Sequence, residues 1–410
     1  MKPLIPWREA LQKVTTAVEP ATPIDAPVDP SSMGIVLAED VRSHWDFPSA
    51  DVSVMDGFAA RTSDLVGERP RLARVGESAA GHPMDVALAP GTAARISTGA
   101  VLPAEADVVI PQEDVTASDT EVIVDLGAFG DVTPGRWVRK RGSEVQENEV
   151  VLQAGRRLSA ADLAVAASTG TTRVHAHPRP RVAIVSTGDE LVPRGTVPRP
   201  GTVVSSNDLL LAAAVQHVGG IPVDHGIAPD EPDGLRAALD RALDCDIVVT
   251  TGGISVGDHD LVARTFESLG IAWAVHGILL RPGKPLAFGS GTREGIARHV
   301  FGLPGNPASA WVTFSLFVAP AIRRHMGVRG DLLPSTQPVE LRNAARGAGR
   351  RAHLVRAFLH GDGTATTLKS QTSGDVRSMG GADALVEVPP GAGELPAGTV
   401  TDAFILNPWR

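Results

Sequence analysis

The chain has no tyrosine, a single cysteine and only five lysines among its 410 residues. One thiol, Cys245, excludes an internal disulfide framework and a cysteine-cluster metal site. It lies in the apolar run ALDCDIVV and reads as a buried structural thiol. No apolar run is long enough to span a membrane, and the opening MKPLIPWREALQKV lacks the apolar core of a signal peptide. A soluble, cytoplasmic protein is the expectation. Walker A, dinucleotide-fingerprint and catalytic-triad motifs are missing, as are internal repeats. The net charge of −9, with acids and bases interspersed, argues against a nucleic-acid partner. Lysine is confined to Lys2, Lys13, Lys140, Lys284 and Lys369, so a lysine kept in the Gly/Pro loop around Lys284 of an arginine-rich chain stands out.

What is present is a set of glycine loops at the ends of strand-like runs. Asp246–Thr251 runs into TTGGISVGDHD (250–260), Ala272–Leu280 into RPGKP (281–285), and His299–Gly302 into LPGNP (303–307). Glycines at strand exits let backbone N–H groups approach a ligand, and open parallel sheets bind ligands beyond their strand C-termini. Three such loops imply one shared pocket.

The periodicity predicts an amphipathic helix over Pro6–Val18, with Trp7, Leu11, Val14 and Val18 on one face, followed by an extended Pro-rich linker, Glu19–Gly34. Residues 51–144 are strand-rich, with Val108–Ile110 and Glu121–Leu126 as candidates. Ser159 opens a helix closed by Gly170, and HPRPR marks a boundary before Arg181. Beyond it, strands Arg181–Ser186, Ile221–Ile227, Asp246–Thr251 and Ala272–Leu280 alternate with helices Asn207–Val218, Asp233–Leu243 and Leu261–Leu269, which is a doubly wound α/β pattern. Asn306 and Pro307 suit a helix cap and first turn. Short strands follow, with His360–Gly363 as a hairpin turn.

Glu190, Asp230, Asp258 and Asp260 fall at three of these strand exits. A single acid there is commonly a helix cap, and this is the plain reading of Asp230. Several acids beside anion-binding loops repel an anionic ligand unless a cation bridges them, and Mg²⁺ suits carboxylates plus phosphate oxygens. A phosphorylated ligand with Mg²⁺ is the consistent expectation. Lys284 offers a compact charge to an oxyanion, and Arg281 either grips phosphate or is a solvated strand end. His259 has no second histidine at ligand spacing and suits a capping or surface role better than zinc. A second group of turns comprises MDGFA (55–59), STGA (97–100) and RKRGSE (139–144).

Together the motifs SVMDGFA (53–59), RISTGAVLP (95–103), STGDEL (186–191), SSND (205–208), TTGGISVGDHD, RPGKP and GLPGNPAS (302–309) resemble the molybdopterin molybdenumtransferase family, which includes the E domain of gephyrin. The resemblance spans nearly the whole chain. It implies a multidomain α/β plus β protein: a discontinuous linker domain (1–50 and 145–178), an inserted mostly-β domain (51–144), a molybdopterin-binding-like doubly wound α/β domain (179–328) and a C-terminal β-barrel-like domain (329–410). It implies insertion of molybdenum from molybdate into adenylylated molybdopterin, with AMP release and Mg²⁺. It further implies a homodimer with cross-subunit clefts and transient contact with other molybdenum-cofactor biosynthesis proteins. Residue by residue, the resemblance assigns Glu190, Asp230 and Asp260 as acidic pocket residues, with catalytic and metal roles, and Lys284 as catalytic and substrate-binding. Asp56 and Thr98 are implied to face the pocket from the inserted domain. Gly252, Gly253, Ser255, Arg281, Pro304 and Pro307 line the substrate. Phe58 replaces a usual tyrosine, and Ser143-Glu144 a usual Glu-Asp pair, with Glu144 as a further metal candidate. Ser373 and Ser378 match loosely. Which acid holds metal and which positions molybdate is left open. Two other readings stand beside this one: a pyridine-nucleotide amidohydrolase of the competence-protein type, and a non-catalytic gephyrin-like scaffold.

Overall fold

The computed structural model describes residues 3–253 and 261–406. The alternation that began at Arg181 builds a mixed six-stranded sheet in the order Ile221–Ala228, Arg181–Thr187, Ile247–Thr251, Ile296–Leu303, Ala287–Arg293, Ala272–His276. The first four strands are parallel. The last two pair antiparallel. Successive side chains of Arg181–Thr187 serve opposite layers, as strand geometry requires. Val182 and Ile184 join the core of helix Asn207–Val218 (Leu211, Val215). Ala183 and Val185 join that of helices Pro232–Ala242 and Leu261–Ser268 (Leu235, Leu239, Phe266). Both faces are covered, so the α/β domain is doubly wound as expected.

One expectation here is corrected, and one strand was not anticipated. The run Ala272–Leu280 is not one strand. Gly277, at φ +89°, turns the chain, so Ala272–His276 stays at the sheet edge while Leu280–Arg281 crosses to pair with Ala352 and His353. Strand Ala287–Arg293, poor in β-branched residues, is held by a hairpin that turns at Glu294 and Gly295, both at positive φ, onto the strand that follows.

The C-terminal segment closes a ring of five strands, Thr336–Leu341, Thr364–Thr367, Ala352–Leu359, Ala384–Val388 and Val400–Ile405. Its hairpin turns at His360–Gly363, where His360 N–H donates to the Thr364 carbonyl at 2.8 Å. Residues 57–124 carry a separate six-stranded sheet. Part of the Pro-rich segment expected to be a bare linker is a strand: Ile24–Pro27 pairs antiparallel with Arg173–His177.

The opening helix, Trp7–Ala17, buries Trp7, Ala10 and Val14 in the α/β core. Trp7 also meets the barrel: its ring packs edge-on to Phe404, and its Nε1 donates to Glu387 Oε1 at 3.0 Å. The first turn of the chain therefore ties the α/β domain to the barrel.

At the opposite end of the sheet from the glycine loops, His299 is buried with Nδ1 3.0 Å from Ser290 Oγ. Burial, with His325 and Arg298 adding and Asp246 opposing, pushes its pKa from the ordinary 6.5 down to about 4. His325 is lowered as well, first by burial. A depressed folded-state pKa means that the unfolded chain takes up the proton first. Stability is then complete above pH 6.5 and falls as pH drops toward 4. The loss attached to His299 is of the order of 3 kcal/mol. Urea unfolding at several pH values should show a shallower acid slope in His299→Gln than in the wild type; equal slopes would mean that His299 does not carry the effect.

Candidate active site

The parallel strands all end at one edge, and the loops leaving them are packed against one another. Gly252 and Gly253 have φ of +84° and +64°, and a Cβ on Gly252 would collide with the Thr187 carbonyl. The register sets Thr251 beside Leu303, and Gly252 N–H donates to the Leu303 carbonyl at 3.3 Å. Gly305 lies 3.5 Å, measured from an added Cβ, from Gly252 Cα. Glycine is needed at 252, where backbone meets backbone and φ is positive.

These loops floor a cleft of about 830 Å³. Ser186, Thr187, Asn207 and Thr251 give it a polar floor, and Leu191, Val203 and Leu210 an apolar flank. Asn306 and Pro307 form the next side, and Gly374, Val376 and Met379 of the C-terminal segment close it. That last wall is fastened across the domain boundary: Asn306 Nδ2 donates to Ser373 Oγ at 3.0 Å, and Ala308 N–H to the Ser373 carbonyl at 3.1 Å. Pro307 opens helix Pro307–Thr313 as expected, but the Asn306 side chain makes no capping bond; its Nδ2 donates to Ser373 instead.

The acids of two exits meet at the rim. Glu190 lines the cleft. Asp230 Oδ2 accepts from the Asp189 N–H at 3.1 Å. The capping role considered for Asp230 falls instead to its neighbour Glu231, which accepts from the Asp233 and Gly234 N–H groups. Burial, then the charges of Asp189 and Glu190, raise the pKa of Asp230 above the usual carboxylate value. Ser255, Asp258, His259 and Asp260 lie outside the described residues.

The basic residues sit elsewhere around this edge. Arg281 and Lys284 are exposed, Pro304 is buried, and none of the three lines the cleft. The RPGKP loop packs on helix Pro307–Thr313, where a Cβ on Gly283 would stand 2.5 Å from Thr313 Cγ2. Arg281 is paired in register with His353 of the barrel. Near it is a residue the sequence did not single out, Arg356, which is fully buried. Its Nη2 donates to the carbonyls of Ser370 and Thr372, at 3.3 and 3.0 Å, so it hangs the cleft-wall segment from the barrel. Its Nε and Nη1 have no partner among the described residues. Burial pulls its pKa down.

The inserted domain places Asp56 and Thr98 together. Asp56 Oδ1 accepts from the Thr98 N–H at 2.6 Å and from its hydroxyl at 2.8 Å. These bonds hold Asp56 below the usual carboxylate range. Neither residue lines the cleft of its own chain. Phe58 is buried in that domain's core. In the RKRGSE turn each base has an acid: Arg139 pairs with Glu144, Lys140 with Asp51 and Arg141 with Asp46.

The arrangement defines a class first: a multidomain α/β protein with its cleft at the carboxyl edge of a parallel sheet, walled by a β-barrel domain. Comparisons with known proteins narrow it. Residues 5–170 match the MoeA N-terminal region (domains I and II), 183–324 a probable molybdopterin binding domain, and 338–406 the MoeA C-terminal region (domain IV). The chain is 36% identical to a molybdopterin molybdenumtransferase of Nostoc, over 91% of this chain and 86% of that one. It is 32% identical to molybdopterin molybdenumtransferase 2 of Mycobacterium tuberculosis, over 98% and 99%. A solved molybdopterin biosynthesis MoeA protein from Pyrococcus horikoshii superposes with TM-score 0.84 at 32% identity, covering 99% of this chain and all of the other. The chain belongs to the molybdopterin molybdenumtransferase family.

Proposed function

We propose that this chain is a molybdopterin molybdenumtransferase that inserts molybdenum from molybdate into adenylylated molybdopterin and releases AMP. The observation that carries the reading is the cleft itself, with the loops after Thr251 and Leu303 meeting at its floor and acids from two strand exits at its rim. Family membership over the whole chain supports the reaction. It also disfavours the amidohydrolase reading, which needs neither the inserted nor the C-terminal domain. A purely scaffolding chain would have no use for Asp230 and Arg356 as they are found, one raised carboxylate beside two others and one buried guanidinium with free nitrogens.

Mg²⁺ suits the chemistry of these acids. Burial, then the charges of Asp189 and Glu190, make Asp230 resist ionisation, and a divalent cation offsets the like-charge part of that cost. No three described acids stand close enough together to hold a metal by themselves, so the proposed set needs Asp260. Asp230, Glu190 and Asp260 are the proposed ligands. Glu144, engaged by Arg139, is assigned here to that ion pair rather than to metal. When bound, Mg²⁺ neutralises phosphate charge as the phosphoanhydride breaks. The chain's own residues do the rest. Backbone N–H groups at Gly253 and Gly305 approach the phosphates, while Gly252, whose N–H is held by the Leu303 carbonyl, leaves room for the substrate. Ser255 and Arg281 add contacts to the substrate, and Pro304 and Pro307 fix the loop between them. Lys284 holds molybdate as the oriented oxyanion. Asp56 and Thr98, which do not line the cleft of their own chain, serve the partner's cleft in a homodimer. The division into 1–50 with 145–178, 51–144, 179–328 and 329–410 is retained, with the opening helix as an arm on the α/β core. A cytoplasmic setting fits this chemistry, and no described helix is long and apolar enough to cross a membrane.

The test is reconstitution. Purified protein, adenylylated molybdopterin, Mg²⁺ and molybdate should together activate a molybdenum-free molybdoenzyme. Activation that is equally strong without the protein would overturn the assignment.

A further inference from the structure

Asn207 is the first residue of helix Asn207–Val218, and its side chain is buried at 8% exposure. It does not cap its helix. Its amide nitrogen donates to Thr251 Oγ1 at 2.7 Å and to the Gly305 carbonyl at 2.8 Å. Thr251 precedes the first glycine loop and Gly305 lies in the third, so one amide spans two strand exits. Both of its hydrogens are used. The orientation is also fixed by chemistry: Gly305 O only accepts, so the nitrogen must face it. Asn207 Oδ1 is left buried, without a partner among the described residues. Ser186 Oγ and Thr187 Oγ1, on the same cleft floor, are likewise without one among the described residues. Buried acceptors are normally satisfied, and an unsatisfied one costs free energy until something donates to it.

We infer that Asn207 is a substrate-positioning residue: its nitrogen locks the Thr251 and Gly305 loops in register, and its oxygen accepts from an N–H of the substrate's fused heterocycle. This deepens the functional reading above and rests on it. That heterocycle is the pterin or the adenine of an adenylylated molybdopterin, each of which brings N–H donors, and the apolar flank of Leu191, Val203 and Leu210 gives a flat ring a surface beside that floor.

The test is steady-state AMP release by the full-length protein as adenylylated molybdopterin is varied at saturating molybdate and Mg²⁺. Asn207→Ala should raise KM for adenylylated molybdopterin about tenfold, the loss expected when a buried hydrogen-bonding group is removed. The dependence on molybdate should stay as in the wild type. Thr251→Val, which removes only one tie, should raise the same KM by a smaller factor, and the double variant should be no worse than Asn207→Ala alone. A role in folding alone predicts something else: a lower thermal midpoint and less active protein, with KM unchanged. Asn207→Asp keeps the size and one acceptor but sets a carboxylate against the Gly305 carbonyl, so it should not rescue KM. Wild-type KM in folded Asn207→Ala, while the wild type turns over, overturns the role of Asn207 and leaves the functional reading intact. A wild type that releases no AMP overturns both. If Asn207→Ala does not fold, Thr251→Val decides: a raised KM supports the clamp, and an unchanged KM overturns it.

Discussion

Asp230→Asn should cut molybdate-dependent AMP release by roughly a hundredfold or more, the scale seen when an electrostatic partner of a transition state is removed. The expectation comes from geometry. Asp230 follows an edge strand, is excused from capping by Glu231, and stands with Asp189 and Glu190 at the rim of the cleft. The substitution keeps the shape and an oxygen for the Asp189 N–H, so the fold should be little changed. It removes a charge from the proposed Mg²⁺ site. Asp260→Asn should behave alike, on the family resemblance. Mg²⁺ titration of AMP release separates the possibilities: a variant whose full activity returns at high Mg²⁺ has lost affinity only, and full turnover at ordinary Mg²⁺ would remove Asp230 from the metal site.

The second large effect concerns the inserted domain. Asp56 and Thr98 bond each other on an exposed turn and do not line the cleft of their own chain. In a two-fold dimer each subunit can present that turn to its partner's cleft. Asp56→Ala and Asp230→Ala homodimers should then each be nearly inactive. A heterodimer of the two should recover about half of wild-type activity, because one cleft combines a wild-type turn with a wild-type acid rim. If both residues served the same chain's cleft, each cleft of the heterodimer would carry one lesion and activity would stay lost. Purification through two different affinity tags, followed by AMP release, gives the answer.

How much of this was legible in the sequence depended on whether a feature is local. The alternation of apolar runs and amphipathic helices from Arg181 onward predicts the α/β domain because strand and helix periods are local, and helix Asn207–Val218 appears with the expected bounds. The glycines at 252, 253 and 305 were legible as loops for the same reason. Non-local features were not. Nothing in Ala272–Leu280 says that the chain leaves the sheet at Gly277 to pair with the barrel. Asp230 and Glu231 are adjacent acids with equal claims on the helix N-terminus, and only the backbone path decides that Glu231 takes it. Asn207 lies in a motif that was noted, but its two bonds reach Thr251 and Gly305, 44 and 98 residues away. Arg356 looked like one more arginine in an arginine-rich chain. Its burial, and its hold on the segment that walls the cleft, arise only when the barrel closes.

The most direct measurement of the central claim is AMP release from purified protein given adenylylated molybdopterin and Mg²⁺, with molybdate as the only variable. The account predicts release that rises with molybdate to saturation, one AMP for each pterin loaded with molybdenum. AMP release indifferent to molybdate, or none at any concentration from folded protein, would contradict it.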